Sequence, residues 1–134
     1  MGDSVSIAVA IVRDERDFLL VRRRAREGAL RWQFPSGHVE FGENSKEAAE
    51  REVFEETHVK CRALSKIGER VHPDTGARVS YWLCAYESGV AEIGDKEELD
   101  DITWMSGPQV IKAITSDLFA PVREMLESSA KASE

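Results

Sequence analysis

Gly37-His38-Val39-Glu40-Phe41-Gly42-Glu43-Asn44-Ser45-Lys46-Glu47-Ala48-Ala49-Glu50-Arg51-Glu52-Val53-Phe54-Glu55-Glu56-Thr57-His58-Val59 is the stretch on which the fold of this chain turns. A helix should begin after Glu43. Asn44 is a good N-cap, and Glu47 stands three residues on, as in a capping box. The helix is predicted to run to about Thr57. Glu52, Glu55 and Glu56 then fall at i, i+3 and i+4, within one arc of about 100°. Like charges so spaced destabilise a helix by roughly 0.2–0.5 kcal/mol per pair. They also occupy its C-terminal half, where the macrodipole disfavours anions. Three carboxylates set against both effects are either spread into water, as a solvated acidic face, or gathered around a cation. Spacing alone leaves both readings open. Carboxylates do suit Mg²⁺, a hard ion that prefers oxygen.

Outward from this helix the chain alternates strands and turns. Ser6–Val12 is apolar and rich in Val and Ile, and reads as a buried strand. Asp14–Asp17 is a polar turn, and Phe18–Val21 should complete a hairpin. Gly28–Gly42, with three glycines and Pro35, reads as a long structured loop. Beyond the helix, Cys61–Val71 and Arg78–Tyr86 read as strands joined by the turn His72-Pro73-Asp74-Thr75-Gly76. A short strand is expected at Asp101–Met105, and Ser106-Gly107-Pro108 should open a helix. Another helix is expected over Asp117–Leu126, followed by a fraying tail from Ser128. No internal repeat or linker interrupts the chain, so residues 1–134 are read as one α/β domain, a mixed sheet covered by helices.

The chain has 134 residues, 42% of them apolar and 32% charged, an ordinary globular balance. Its net charge of −7 argues against a partner such as a nucleic-acid duplex, which calls for a basic surface. Cys61 and Cys84 form no CxxC pair, and both are read as reduced residues of a cytoplasmic protein. Met1–Ser6 lacks the basic and apolar regions of a signal peptide, and no apolar run approaches the ~20 residues needed to span a membrane.

The acidic helix acquires a specific meaning from its flanks. Gly37 is followed by Glu43, then by Arg51-Glu52-Val53-Phe54-Glu55-Glu56, and Val59 closes the 23-residue stretch. This closely resembles the signature of the Nudix hydrolases, the family that includes the MutT-type nucleotide-pool enzymes. Trp32-Gln33-Phe34-Pro35-Ser36 resembles the family's lead-in. The resemblance implies the Nudix fold, an α/β/α sandwich with a mixed central sheet. Two positions depart from the pattern. Ser36 stands where many members have a second glycine. His58 stands where the family usually has glycine, at the residue just past the helix. There a left-handed conformation is expected, which His tolerates better than most residues.

The resemblance also implies a chemistry. A diphosphate repels nucleophiles, and a metal ion neutralises its oxygens while acidifying a bound water. In such enzymes Glu52, Glu55 and Glu56 would hold Mg²⁺, with Mn²⁺ as a substitute and the carbonyl of Gly37 as a further ligand. Arg51 would orient these ligands by reaching Glu55 or Glu47. The general base is left between Glu52 and Glu98; the latter, in the loop before Trp104, is also a candidate metal ligand. Arg23, Trp32 and Glu43 are placed on the substrate side, Glu43 also steadying the loop and Arg51. Of Arg22, Arg23, Arg24 and Arg26, strand alternation lets at most two face a cleft, and Arg23 is preferred. Phe34, Tyr81, Trp82 and Trp104 are read mainly as packing residues. The implied substrate is a small nucleotide, foremost a nucleoside triphosphate cleaved to monophosphate and pyrophosphate. A nucleotide sugar or dinucleotide, or a sensor that binds without cleaving, are the alternatives. A homodimer would fit the family.

Overall fold

The computed structural model describes residues 5–24 and 29–131. The readings of Met1–Ser4, Arg26, Gly28 and the last three residues of the tail lie outside the described residues. The elements run β1 (Ser6–Asp14), β2 (Asp17–Arg24), β3 (Leu30–Gln33), β4 (Ser36–His38), α1 (Ser45–Thr57), β5 (Lys60–Val71), β6 (Arg78–Ser88), β7 (Leu99–Ser106), α2 (Gly107–Ala113) and α3 (Ala120–Lys131).

β1 and β2 form the expected hairpin, but they pair only next to its turn, at Arg13–Phe18 and Asp14–Asp17. Beyond that the two strands part. β1 takes β4 antiparallel on that side, at Ile7–His38, Ala8–Gly37 and Val9–Ser36, and β6 parallel on the other. β2 takes β3 and β7, both antiparallel. β5 pairs antiparallel with β6 at the far edge. The segment Gly28–Gly42 is therefore not a loop throughout. It carries two short strands that fill the edges opened where β1 and β2 diverge.

Both faces of β1 are covered, which is why its sequence is a continuous apolar run. Ala8, Ala10 and Val12 pack with Ala48, Ala49 and Val53 of α1. Ile11, with Ile7 and Val9 at the margin, packs toward Val110 of α2 and Val122 and Leu126 of α3. Small residues on both sides of the first interface let α1 lie close to the sheet. The layers are thus α1, a mixed sheet, and α2 with α3, the expected sandwich.

Boundaries differ at the C-terminal end. β7 starts two residues before the predicted strand, and α3 begins at Ala120 rather than Asp117. It continues through Ser128, with Ser129 buried, so the tail begins later than its polar composition suggested. Cys61 and Cys84 are free and buried. The neighbouring Cys61 and burial push the Cys84 thiol well above its usual range. Among the described residues no helix is long and apolar enough to cross a membrane.

Candidate active site

α1 starts as its sequence dictates. The Asn44 side chain accepts from Glu47 N–H at 2.8 Å, and Glu47 reciprocates on Asn44 N–H at 3.0 Å. Glu47 is thereby committed to the cap and not to Arg51. The helix ends on His58, whose φ of 62° is the left-handed conformation expected there. Its ring Nδ1 lies 2.6 Å from Glu92 Oε1. The exposed helix carbonyls are met by the segment that follows β6, where Glu92 N–H donates to Thr57 O and Gly94 N–H to Glu56 O. A side chain at Gly94 would collide with Glu55 O, so glycine permits this approach. The same segment leads directly to Glu98.

The sheet-facing stripe of α1 contains Ala49, Val53 and, unusually, Glu52 and Glu56. Their side chains are only 15% and 10% exposed, against 56% for Glu55. The three acids of one arc are therefore not equivalent: two point at the sheet and one at solvent. β4 makes room for the inner pair, since a β-carbon at Gly37 would stand 2.2 Å from Glu52 Cδ.

Arg51 organises this end of the helix. Its guanidinium donates to both oxygens of Glu43 at 2.8 and 3.0 Å. It also donates to Glu52 at 2.8 Å, Glu55 at 2.7 Å and the carbonyl of His38 at 3.0 Å. Glu43 further accepts Glu40 N–H, and Arg51 holds its carboxyl below the usual carboxylate range. Glu43 is thus engaged by the loop and by Arg51.

Glu56 is held differently. One oxygen accepts from Arg23 at 3.0 Å, while Oε1 is buried without a partner among the described residues. Burial is the main cause that lifts its carboxyl to about 7, and it also raises Glu52. Arg23 in turn donates to Glu98 at 2.6 Å. The structure thus brings Glu98, 42 positions beyond Glu56 in the chain, to the same end of α1. Arg22 points elsewhere, to Asp100 at 2.8 and 3.1 Å, as strand alternation requires. The link from Arg23 to Glu56 and the docking of Glu92–Gly94 have no counterpart in the sequence reading. Only the glycines at 89 and 94 hint at a close approach there.

Trp32 lies on β3 and not in a loop. It packs against the α2–α3 core, and Arg22 sits over its ring at 5.4 Å. Tyr81 stacks on Phe119 at 4.6 Å, and Phe34 is buried, as read.

The oxygen donors fit a hard divalent cation. Glu52 lies against the Gly37 backbone, and Glu56 Oε1, which has no partner among the described residues, is an acceptor that such an ion would satisfy. Arg51 bonds Glu52 and Glu55, and Arg23 bonds Glu56; among the described residues no three acidic, His or Cys side chains converge as a ready ligand set.

Across β4 from this cluster lies a cavity of about 460 Å³, lined by Ile7, Val9, Phe34, Val79 and Tyr81, with Gln33, Ser36 and Asp117 among its polar groups.

A fold of this kind with this helix matches known proteins. The NUDIX domain profile matches residues 3–125. The chain is 28% identical over 122 residues to the 8-oxo-dGTP diphosphatase of Escherichia coli K12, covering 90% of this chain and 91% of that one. It is 33% identical over 94 residues to the NAD-capped RNA hydrolase NudC of Escherichia coli O1:K1, covering 70% of this chain and 36% of that protein. Several relatives are much longer, and the chain spans only 25% to 36% of their length. A crystal structure of a NUDIX hydrolase from Nitrosomonas europaea superposes with a TM-score of 0.83 at 17% identity, over 95% of this chain and 72% of that one. The chain belongs to the NUDIX domain family. Within it, the chain is similar to the MutT protein of Methanosarcina mazei Go1, whose crystal structure superposes with a TM-score of 0.67 at 26% identity over 98% of this chain and 96% of that one.

Proposed function

We propose that this protein hydrolyses a nucleoside triphosphate to the monophosphate and pyrophosphate, with Mg²⁺ as cofactor and Mn²⁺ as a substitute. The observation that carries the reading is the Glu56 carboxylate, buried on α1 with one oxygen unpartnered among the described residues. Glu52, Glu55, Glu56 and the Gly37 carbonyl would hold the cation, with Glu98 at its margin. When bound, the ion neutralises diphosphate oxygens and lowers the pKa of a water. Arg51 holds Glu52 and Glu55 through its short hydrogen bonds and would orient them beside the ion. The proton released by the attacking water passes to Glu52 or Glu98. Glu98, 62% exposed, can return it to solvent most easily.

Substrate size follows from the neighbouring cavity, whose volume suits a nucleoside. Ser36 and His38 line it from one face of β4 and Gly37 between them meets Glu52 on the other, so a molecule with its nucleoside in the cavity would reach the acids by passing around β4. The 8-oxo-dGTP diphosphatase similarity over nearly the full chain supports the same class. A binding-only sensor would gain nothing from burying ionisable Glu52 and Glu56. A panel of nucleoside triphosphates, nucleotide sugars and dinucleotides, incubated with Mg²⁺ and analysed by product mass, tests the proposal. Pyrophosphate released with a nucleoside monophosphate, and abolished by chelation, is expected. Tight binding with no cleavage would overturn it.

A further inference from the structure

The segment between β6 and β7 is seated on the C-terminal end of α1. The last carbonyls of a helix have no partner inside it and need donors from elsewhere. Glu92 N–H donates to Thr57 O at 3.0 Å and Gly94 N–H to Glu56 O at 2.9 Å. The approach is closer than a side chain allows, since a β-carbon at Gly94 would collide with Glu55 O. Gly94 has no positive φ, so glycine serves the approach alone. The His58 ring lies along the same segment, its Nδ1 2.6 Å from Glu92 Oε1. From Gly94 the chain turns at once. Asp95 Oδ1 accepts Glu97 N–H at 3.1 Å and Glu98 N–H at 3.3 Å, and Leu99 N–H donates to Asp95 O at 2.9 Å. On the other side Arg24 N–H donates to Glu98 O at 2.8 Å. β7 then begins, and its pairing with β2 shifts register between Arg22 and Arg23, which leaves a bulge at Asp100. Glu98 is thus held between the end of α1 and β2.

From this juxtaposition we infer that the seat of Gly94 on α1, carried through the Asp95 turn, sets where the Glu98 carboxylate stands relative to Glu56. Gly94 and Asp95 are positioning residues for the hydrolysis. The inference rests on the reading of Glu98 as a participant in turnover. The physical reason is reach. A carboxylate 62% exposed has little packing around it, so its place follows its backbone. That backbone is tied to the helix that carries Glu55 and Glu56, and Gly94 donates to Glu56 itself. A shift of the last turn of α1 therefore carries Glu98 with it, and the spacing of the acids is kept. Misplacing a reacting group by about 1 Å can cost on the order of a hundredfold in rate. Among the described residues that line the cavity, none comes from 89–98, so the seat acts on the acids and not on nucleoside binding.

The test pairs amide hydrogen exchange with steady-state kinetics on the full chain. In Gly94→Ala, exchange read without nucleotide or metal should quicken about tenfold at Glu97, Glu98 and Leu99. With Mg²⁺ and the standard ribo- and deoxyribonucleoside triphosphates, kcat should fall about tenfold while KM stays within about twofold. Glu98→Gln should cost about a hundredfold. In that background Gly94→Ala should cost little more, because the acid whose place it sets is gone. Asp95→Ala should behave like Gly94→Ala, and Asp95→Asn, which keeps the side-chain acceptor, should stay near wild type; this pair carries the test if Gly94→Ala does not fold. Unchanged exchange at Glu97–Leu99 in the folded variants overturns the inference, because Glu98 would then be placed without the seat. A loss that adds in full to that of Glu98→Gln overturns it too. If Glu98→Gln turns over like wild type, the role of Glu98 fails and the inference falls with it, while the hydrolase reading stands. A wild type that cleaves none of these nucleotides overturns both.

Discussion

The backbone of Gly37 lies against the carboxylate of Glu52, so closely that a β-carbon at position 37 would stand 2.2 Å from Glu52 Cδ and 2.3 Å from Oε1. The obstructing atoms are the far end of a flexible side chain, which can swing away. Gly37→Ala should therefore leave stability within about 1 kcal/mol of wild type, yet move Glu52 off its Arg51 hydrogen bond. Turnover is expected to fall by roughly a hundredfold, the upper range for losing a ligand's support. Thermal melts and pyrophosphate release measure the two effects. Equal, severe losses of both would show that Gly37 serves packing alone.

Glu56→Gln should abolish turnover more completely than the roughly 10- to 100-fold expected for a supporting residue. Its fold should survive, because a neutral amide in this buried place avoids desolvating a charge. The reading is abandoned if the variant keeps near-normal activity in the presence of Mg²⁺.

His58 caps α1 at φ 62°. A non-glycine residue there is strained by roughly 1–2 kcal/mol, while the exposed pair with Glu92 returns about 0–1 kcal/mol. His58→Gly should raise stability slightly, by up to about 1 kcal/mol. His58→Val should lower it by roughly 1–2 kcal/mol, since a β-branched residue fits positive φ poorly. Urea unfolding ranks the three proteins, and the order Gly, His, Val is the expected one.

Arg22, hydrogen-bonded to Asp100, holds that carboxyl below its usual range. A depressed carboxyl stabilises the fold fully above its unfolded value of about 3.9 and loses that contribution as pH falls through the folded value. Asp100→Asn should therefore be less stable than wild type near neutrality, with the gap closing in acid. A gap independent of pH, in urea melts across the acidic range, would remove the ion pair as its cause.

Much of this site was legible because its parts are local. The Asn44–Glu47 cap, the spacing of Glu52, Glu55 and Glu56, and the left-handed cap at His58 all depend on residues a few positions apart. Helical geometry alone relates them. The same reasoning could not separate Glu55 from its neighbours. An arc of about 100° spans both the sheet-facing side and the solvent edge, and only the position of β4 decides which acids are buried.

The sequence by itself determined the acidic helix, its caps, the long strands and the family, since period, capping and motif spacing are properties of contiguous residues. Tertiary structure alone decided that Gly28–Gly42 contributes β3 and β4. Strands of four and three residues carry too little period to be read, and they form because β1 and β2 part beyond their turn. It also decided that Arg23 meets Glu56 and Glu98, 33 and 75 positions away. Those contacts follow from the bulge at Asp100 and from the close seat of α1 on an alanine-lined sheet, and only the assembled layers bring those distant parts of the chain together.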